Sequence, residues 1–154
     1  MSDLWLGASK EEAEYVFLLP NKPILSNESD VVLSHQVDVD RLIELNGNHW
    51  RKILTIMAKL TSPNYGEWRE FRDKDLLKKV GVAFSIDQLT NVKGVLFIVG
   101  NTFREALPIL DSAQEVGDKH VAAFTLNRVW CPYLDYRQFP NILIEAIRET
   151  ILEK

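Results

Sequence analysis

The chain has one cysteine, Cys131, in 154 residues, which excludes an internal disulfide framework and a cysteine-based zinc site. Long hydrophobic runs are also missing. The densest, Val95 to Val99 and Val121 to Phe124, are strand-sized and far short of the ~20 apolar residues that span a bilayer, so no membrane partner is expected. The N-terminal MSDLWLGASKEEAEY lacks the charged-then-apolar pattern of a signal peptide, and a cytoplasmic location is the expectation. Internal repeats, low-complexity tracts and linkers are absent. Neither G-x-x-x-x-G-K-[ST] nor G-x-G-x-x-G occurs, so the two common phosphate-binding loops are excluded. The histidines number three; His35 beside Asp38 and Asp40 matches no metal spacing, and His120 beside Asp118 reads as a surface turn residue. No metal and no cofactor is expected.

What is present describes one α/β domain over residues 1–154. A chain of this length buries roughly two thirds of its unfolded surface around a single core. Tyr15 to Leu19 is an unbroken apolar run closed by Pro20, the pattern of a buried strand. The segment PNKPILSNESD reads as a loop. Asp38 or Asp40 can cap a helix from Val39 carrying Leu42, Ile43 and Leu45, and Asn46-Gly47-Asn48 makes a turn. Trp50, Ile53, Leu54, Met57 and Leu60 recur at helical spacing until Ser62-Pro63. Leu76, Leu77 and Val80 suggest a short helix ended by Gly81, with Val82 to Phe84 a short strand. Val95 to Val99 is the clearest strand. A helix capped by Asn101 or Thr102 is expected after it, with Phe103, Ala106, Leu107, Leu110 and Ala113 inside and Pro108 bending it. Val121 to Phe124 is the next strand, Thr125 to Pro140 a loop, and Ile142, Leu143, Ala146, Ile147 and Ile151 a closing helix with Pro140 in its first turn. Apolar strands alternating with helices predict a three-layer α/β/α sandwich around a mostly parallel sheet.

In open α/β sheets, ligands bind outside the carboxyl ends of the strands. The segments Pro20-Asn21-Lys22-Pro23, Gly100-Asn101-Thr102 and Thr125 to Pro140 leave such ends and, with parallel strands, would share one edge. The candidate ligand-binding residues are therefore Asn21, Lys22, Asn101, Thr102, Arg128, Tyr133, Asp135 and Arg137. A helix start at Asn101 would favour an anion. Arg128 and Arg137 suit phosphate or carboxylate, and Trp130, Tyr133 and Tyr136 suit a planar ligand. A small anionic or planar molecule is the expected partner. Cys131 can be a nucleophile only with a stabilised thiolate. His49 can act as a general base or serve its own turn.

Charge is uneven within a net −4. Residues 1–48 carry three basic and nine acidic side chains, and residues 49–79 carry eight and four. The basic middle is either a solvated face or a patch for an acidic partner. With Trp5, Tyr65 and Trp68 exposed, it would make a protein-interaction module.

The element order also resembles the uracil-DNA glycosylase-like fold, most closely over residues 94–151. A strand-Gly-helix unit comparable to VLFIVGNTFREAL is followed there by a strand, a His-Pro-Ser loop, an aromatic stretch and a closing helix. Here the loop reads Cys131-Pro132-Tyr133, so the proline matches and Cys131 stands for the histidine. The family's first strand runs into Gly-Gln-Asp-Pro-Tyr; this chain has Leu19-Pro20-Asn21-Lys22-Pro23, with Lys22 where the water-activating Asp would be. The resemblance implies a divergent member with both catalytic positions changed. A nucleobase or nucleotide is then the implied ligand, with nucleic acid as a possible partner that the acidic balance does not favour. Asp135, His49 and Asp73 are the groups an enzyme of this kind would have to use.

Overall fold

The computed structural model describes residues 4–25 and 39–152, the side chains of 151 and 152 excepted. His35, Asp38, residues 26–30 of the expected loop and the Ile151 side chain lie outside the described residues. The strands are β1 (Leu6–Gly7), β2 (Tyr15–Leu18), β3 (Val80–Ala83), β4 (Val95–Val99), β5 (Gln114–Gly117), β6 (Val121–Phe124) and β7 (Arg128–Cys131). The α-helices are α1 (Val39–Asn46), α2 (Asn48–Thr61), α3 (Trp68–Lys74), α4 (Leu76–Lys79) and α5 (Asn141–Ile147).

All seven strands form one sheet in the order β1-β3-β2-β4-β7-β6-β5. Its centre, β3-β2-β4-β7, is parallel, with Leu18 opposite Ala83 and Ile98, and Val99 opposite Cys131. The flanks are not. β1 runs antiparallel to β3, and β6 and β5 close the other side as antiparallel hairpin partners. The sheet is therefore mixed, correcting the expected mostly parallel one. On the β6–β5 side the cause is connection length. β5, β6 and β7 are joined by short turns, such as Thr125 N–H to Arg128 C=O at 2.9 Å, and tight turns can only reverse a strand.

Alternate residues of the central strands face opposite ways, so both faces are buried. Phe17, Phe97, Val129 and Cys131 pack with Ile53, Met57 and Leu60 of α2 and with Leu143 and Ile144 of α5. Phe17 and Phe97 stack at 4.5 Å between ring centroids. On the other face Val16, Leu18, Ile98 and Trp130 pack with Trp5, Ala8 and Ala13, roofed by Leu89, Phe103 and Leu107. The α-helices named here contribute to the first face, while turns and a single 3-10 turn (Ile86–Leu89) cover the second.

The helix expected after Val99 is not formed. Residues 102–106 make successive turns between bends at 101 and 107, and irregular backbone follows from 108 to 110. Pro108 supplies no N–H to a helix, and the Leu107 carbonyl is taken by the Trp130 indole N–H at 2.9 Å. Leu110, expected inside, is 45% exposed. Likewise Arg128 to Cys131, expected in a loop, is a central strand, and Val80 opens β3 rather than closing a helix. The Asn46-Gly47-Asn48 turn is as expected: Gly47 alone separates α1 from α2, and the Asn46 amide ties Leu42 and Ile24 together.

Candidate functional site

Four parallel strands bring Ala83, Leu18, Val99 and Cys131 to one carboxyl edge. The chain leaves β2 through Pro20-Asn21, β4 through Gly100, and β7 through Pro132-Tyr133. The first turn of α2 meets the same edge, since His49 reaches Tyr133 there. The last turn of α2 meets Tyr15, at the start of β2, around a cavity of about 230 Å3. This helix therefore runs against the strands and presents its N-terminal end to the site.

Tyr133 is the centre. Its hydroxyl accepts a hydrogen bond from Asn21 Nδ2 at 2.9 Å and lies 2.7 Å from His49 Nε2. The two rings sit 5.8 Å apart and tilted. Its ring also lies 3.8 Å from where a Gly100 side chain would begin. Burial raises the phenol's pKa above its ordinary value of 10, against the Asn21 hydrogen bond, which favours phenolate, and with help from the Asp135 charge. At neutral pH the group is therefore a phenol. When His49 Nε2 carries no proton, the hydroxyl donates to it; when it does, the hydroxyl accepts twice and its own proton is free for a ligand. Such a group hydrogen-bonds a carbonyl, ring nitrogen or anion and does not act as a base.

The expected residues divide. Asn21, Tyr133 and Asp135 are brought together, and Lys22, Asn101 and Thr102 are exposed on the adjoining segments. Asp135 holds its own turn, accepting from the Arg137 N–H at 3.0 Å, and meets Lys52 at 4.0 Å across the edge. That exposed pair is worth about 0–1 kcal/mol. Arg137 lies exposed on the same turn. Arg128 is a correction. It opens β7 opposite Leu96, at the other end of the strand from Tyr133, because the segment is a strand and not a loop. Asn101 starts a turn, so the helix-terminus anion site expected there is absent.

Cys131 is fully buried, and burial pushes its thiol up to about 12 although the Arg104 charge acts the other way. This removes it as a nucleophile. Lys52 and Arg104 belong to the neighbourhood and gave no sequence signal, because neither stands in a motif or loop of distinctive composition.

The basic segment stays mostly exposed: Arg51, Lys52, Arg69, Lys74, Lys78 and Lys79 face outward, Arg72 is half-buried and Lys59 is buried. Lys59, 9% exposed, hydrogen-bonds Asn141 at 3.0 Å and lies 4.9 Å from the ring centroids of both Trp68 and Tyr136. Arg72 binds Asp73 and Thr55, Lys74 binds Glu70 and Lys79 binds Glu14. Trp5, expected outside, is buried with its indole bonded to Ala8. A further cavity of about 500 Å3 lies between the β5–β6 turn and α5. Neither cavity is lined by Asn21, Tyr133 or Asp135. Among the described residues no cluster of three His, Cys, Asp or Glu side chains could hold a metal, and no helix is long and apolar enough to cross a membrane.

A family model matches residues 6–152, and its description is that of a family of unknown function. No curated protein and no solved structure matches the chain.

Proposed function

Because the chain belongs to DUF6942, whose description assigns no activity, we propose its role from geometry: a small-molecule-binding α/β domain, its site at the carboxyl edge around Tyr133. The observation that carries this is the Tyr133 hydroxyl, held by Asn21 after β2 and His49 on α2 at 2.9 and 2.7 Å. Three separate elements aim one polar group at the edge where such sheets bind ligands. The ligand class is a nucleobase, nucleotide or other small anion: the aromatic ring offers a stacking face and the hydroxyl a hydrogen bond. A lone buried thiol suits a reducing, cytoplasmic setting.

A thermal-shift screen with nucleobases, nucleotides and phosphorylated metabolites tests the reading. A ligand at 100 times its dissociation constant adds about 2.7 kcal/mol of stability and raises the melting temperature. Tyr133→Phe keeps the ring and removes the hydroxyl; it should weaken that ligand by about tenfold, the worth of one well-placed hydrogen bond. A flat screen, or a ligand indifferent to Tyr133→Phe, counts against it.

A second reading, a divergent glycosylase-like or nucleotide-processing enzyme, is supported by His49, an imidazole at this edge suited to general base work. It expects uracil release from single-stranded DNA, lost in His49→Ala and in Asp135→Ala. No release at high enzyme concentration would sink it.

A further inference from the structure

Arg104, partly buried like Arg72, stands apart from the other cations packed into the fold. Lys59 has Asn141 and two aromatic rings, Arg72 has Asp73 and Thr55, and Arg148 donates to the Lys59 and Leu60 carbonyls. The Arg104 Nε is buried without a hydrogen-bond partner, and no other buried side-chain nitrogen or oxygen among the described residues is left so. Among those residues its guanidinium forms no ion pair. An ionised donor buried without an acceptor costs more than a neutral one and calls for an explanation.

Its position supplies one. Arg104 lies on the turn leaving β4, close enough to Cys131 for its charge to act on the thiol. Cys131 is two residues before Tyr133 and accepts from Gly100 N–H at 2.9 Å. On the same turn, the N–H groups of Asn101, Thr102 and Phe103 donate to no acceptor among the described residues, while Arg104 N–H closes the turn on Asn101 C=O at 3.1 Å. A charged fork and three backbone donors thus share one short turn, with no acceptor for them among the described residues. An oxyanion is the complement of that set.

We propose that Arg104 is the anion-recognising residue of the edge, and that its ligand carries a phosphate or carboxylate group held by Arg104 and the Asn101–Phe103 turn. The inference rests on the reading of the Tyr133 edge as a ligand site and specifies the ligand's charge.

The test is a 1H–15N NMR titration of the full chain with sodium phosphate and, separately, sodium acetate, each against sodium chloride at equal ionic strength. Saturable shifts of the Arg104 Nε–H and of the 101–103 amides are expected with one of the two anions, and that one identifies the group. Arg104→Met should weaken this binding by about tenfold, one charge-assisted hydrogen bond. It should also hold or raise the melting temperature without ligand, because the unsatisfied donor is gone. Should Arg104→Met not fold, Arg104→Lys keeps a charge without the fork, and its affinity should still fall by threefold or more. Shifts that chloride reproduces, or affinity unchanged in either variant, overturn the proposal. Neutral nucleosides that move Tyr133 and His49 signals while both anions do nothing would remove the inference and keep the ligand site. Silence from all of them removes both.

Discussion

Arg148 shows how one side chain can hold two elements. Only 4% exposed, it follows α5 and donates from one nitrogen to the Lys59 and Leu60 carbonyls, at 2.9 and 3.2 Å, in the last turn of α2. Those carbonyls have no partner further along the helix, which ends at Thr61, so the guanidinium acts as a C-terminal cap. Its plane lies 5.1 Å from the Tyr65 ring centroid. Arg148→Met keeps the stem's packing and strips the donors. It should cost about 2–3 kcal/mol, the loss of charge-assisted bonds to buried carbonyls, read from urea unfolding midpoints. A change below 0.5 kcal/mol would show that water replaces the cap. Tyr133 was legible at this scale because an aromatic beside a proline after an apolar run is noticeable in any sequence. Its partnership with His49 was not, since 84 residues separate the pair and nothing local marks either for the other. Arg104 was still less visible: a lone arginine in an expected helix reads as a solvated one.

Among the elements, the β5–β6 hairpin is the clearest example of a strand that apolar patterning misses. Gln114–Gly117 is a mostly exposed edge, so its sequence has no reason to be hydrophobic. Its geometry depends on Gly117, at φ 110 and with the His120 carbonyl 2.2 Å from where a Cβ would sit. Gly117→Ala should therefore cost about 1–3 kcal/mol in backbone strain. It should also strip hydrogen-exchange protection from the β5–β6 ladder while leaving β2 and β4 protected; uniform loss across the sheet would contradict a local hairpin effect. The turns at 102–106 teach the opposite lesson. Phe103, Ala106, Leu107, Leu110 and Ala113 have helical spacing, yet the backbone is not helical. Pro108 and the Trp130 indole on the Leu107 carbonyl outweigh a periodicity that alone is weak. β2, β4, α2 and α5 were legible because each shows a long apolar period or run, and burial on both faces rewards such runs.

For the whole molecule, alkaline pH is the sensitive direction. The Cys131 thiol, ordinarily 9, is pushed up to about 12 by burial. A raised folded value means the neutral form is favoured in the native state, so this stability is complete below pH 9. It is lost as pH rises from 9 through 12. Tyr15, Tyr65 and Tyr133, each raised above 10 chiefly by burial, act in the same sense from pH 10 upward. Urea midpoints should therefore fall between pH 8 and 10, and Cys131→Ala, whatever its own stability, should show a shallower fall between 9 and 10. Equal slopes in the two proteins would contradict the assignment. By itself the sequence determined the α/β class, the main buried runs and the segments that leave β2 and β4, because burial imposes a local apolar pattern that can be read residue by residue. Tertiary structure alone decided that the sheet is mixed, that Arg128 starts a strand far from Tyr133, and that His49 and Arg104 join the edge. Strand direction, and contacts between residues distant in the chain, are set by which partners close the sheet and leave no mark in local composition.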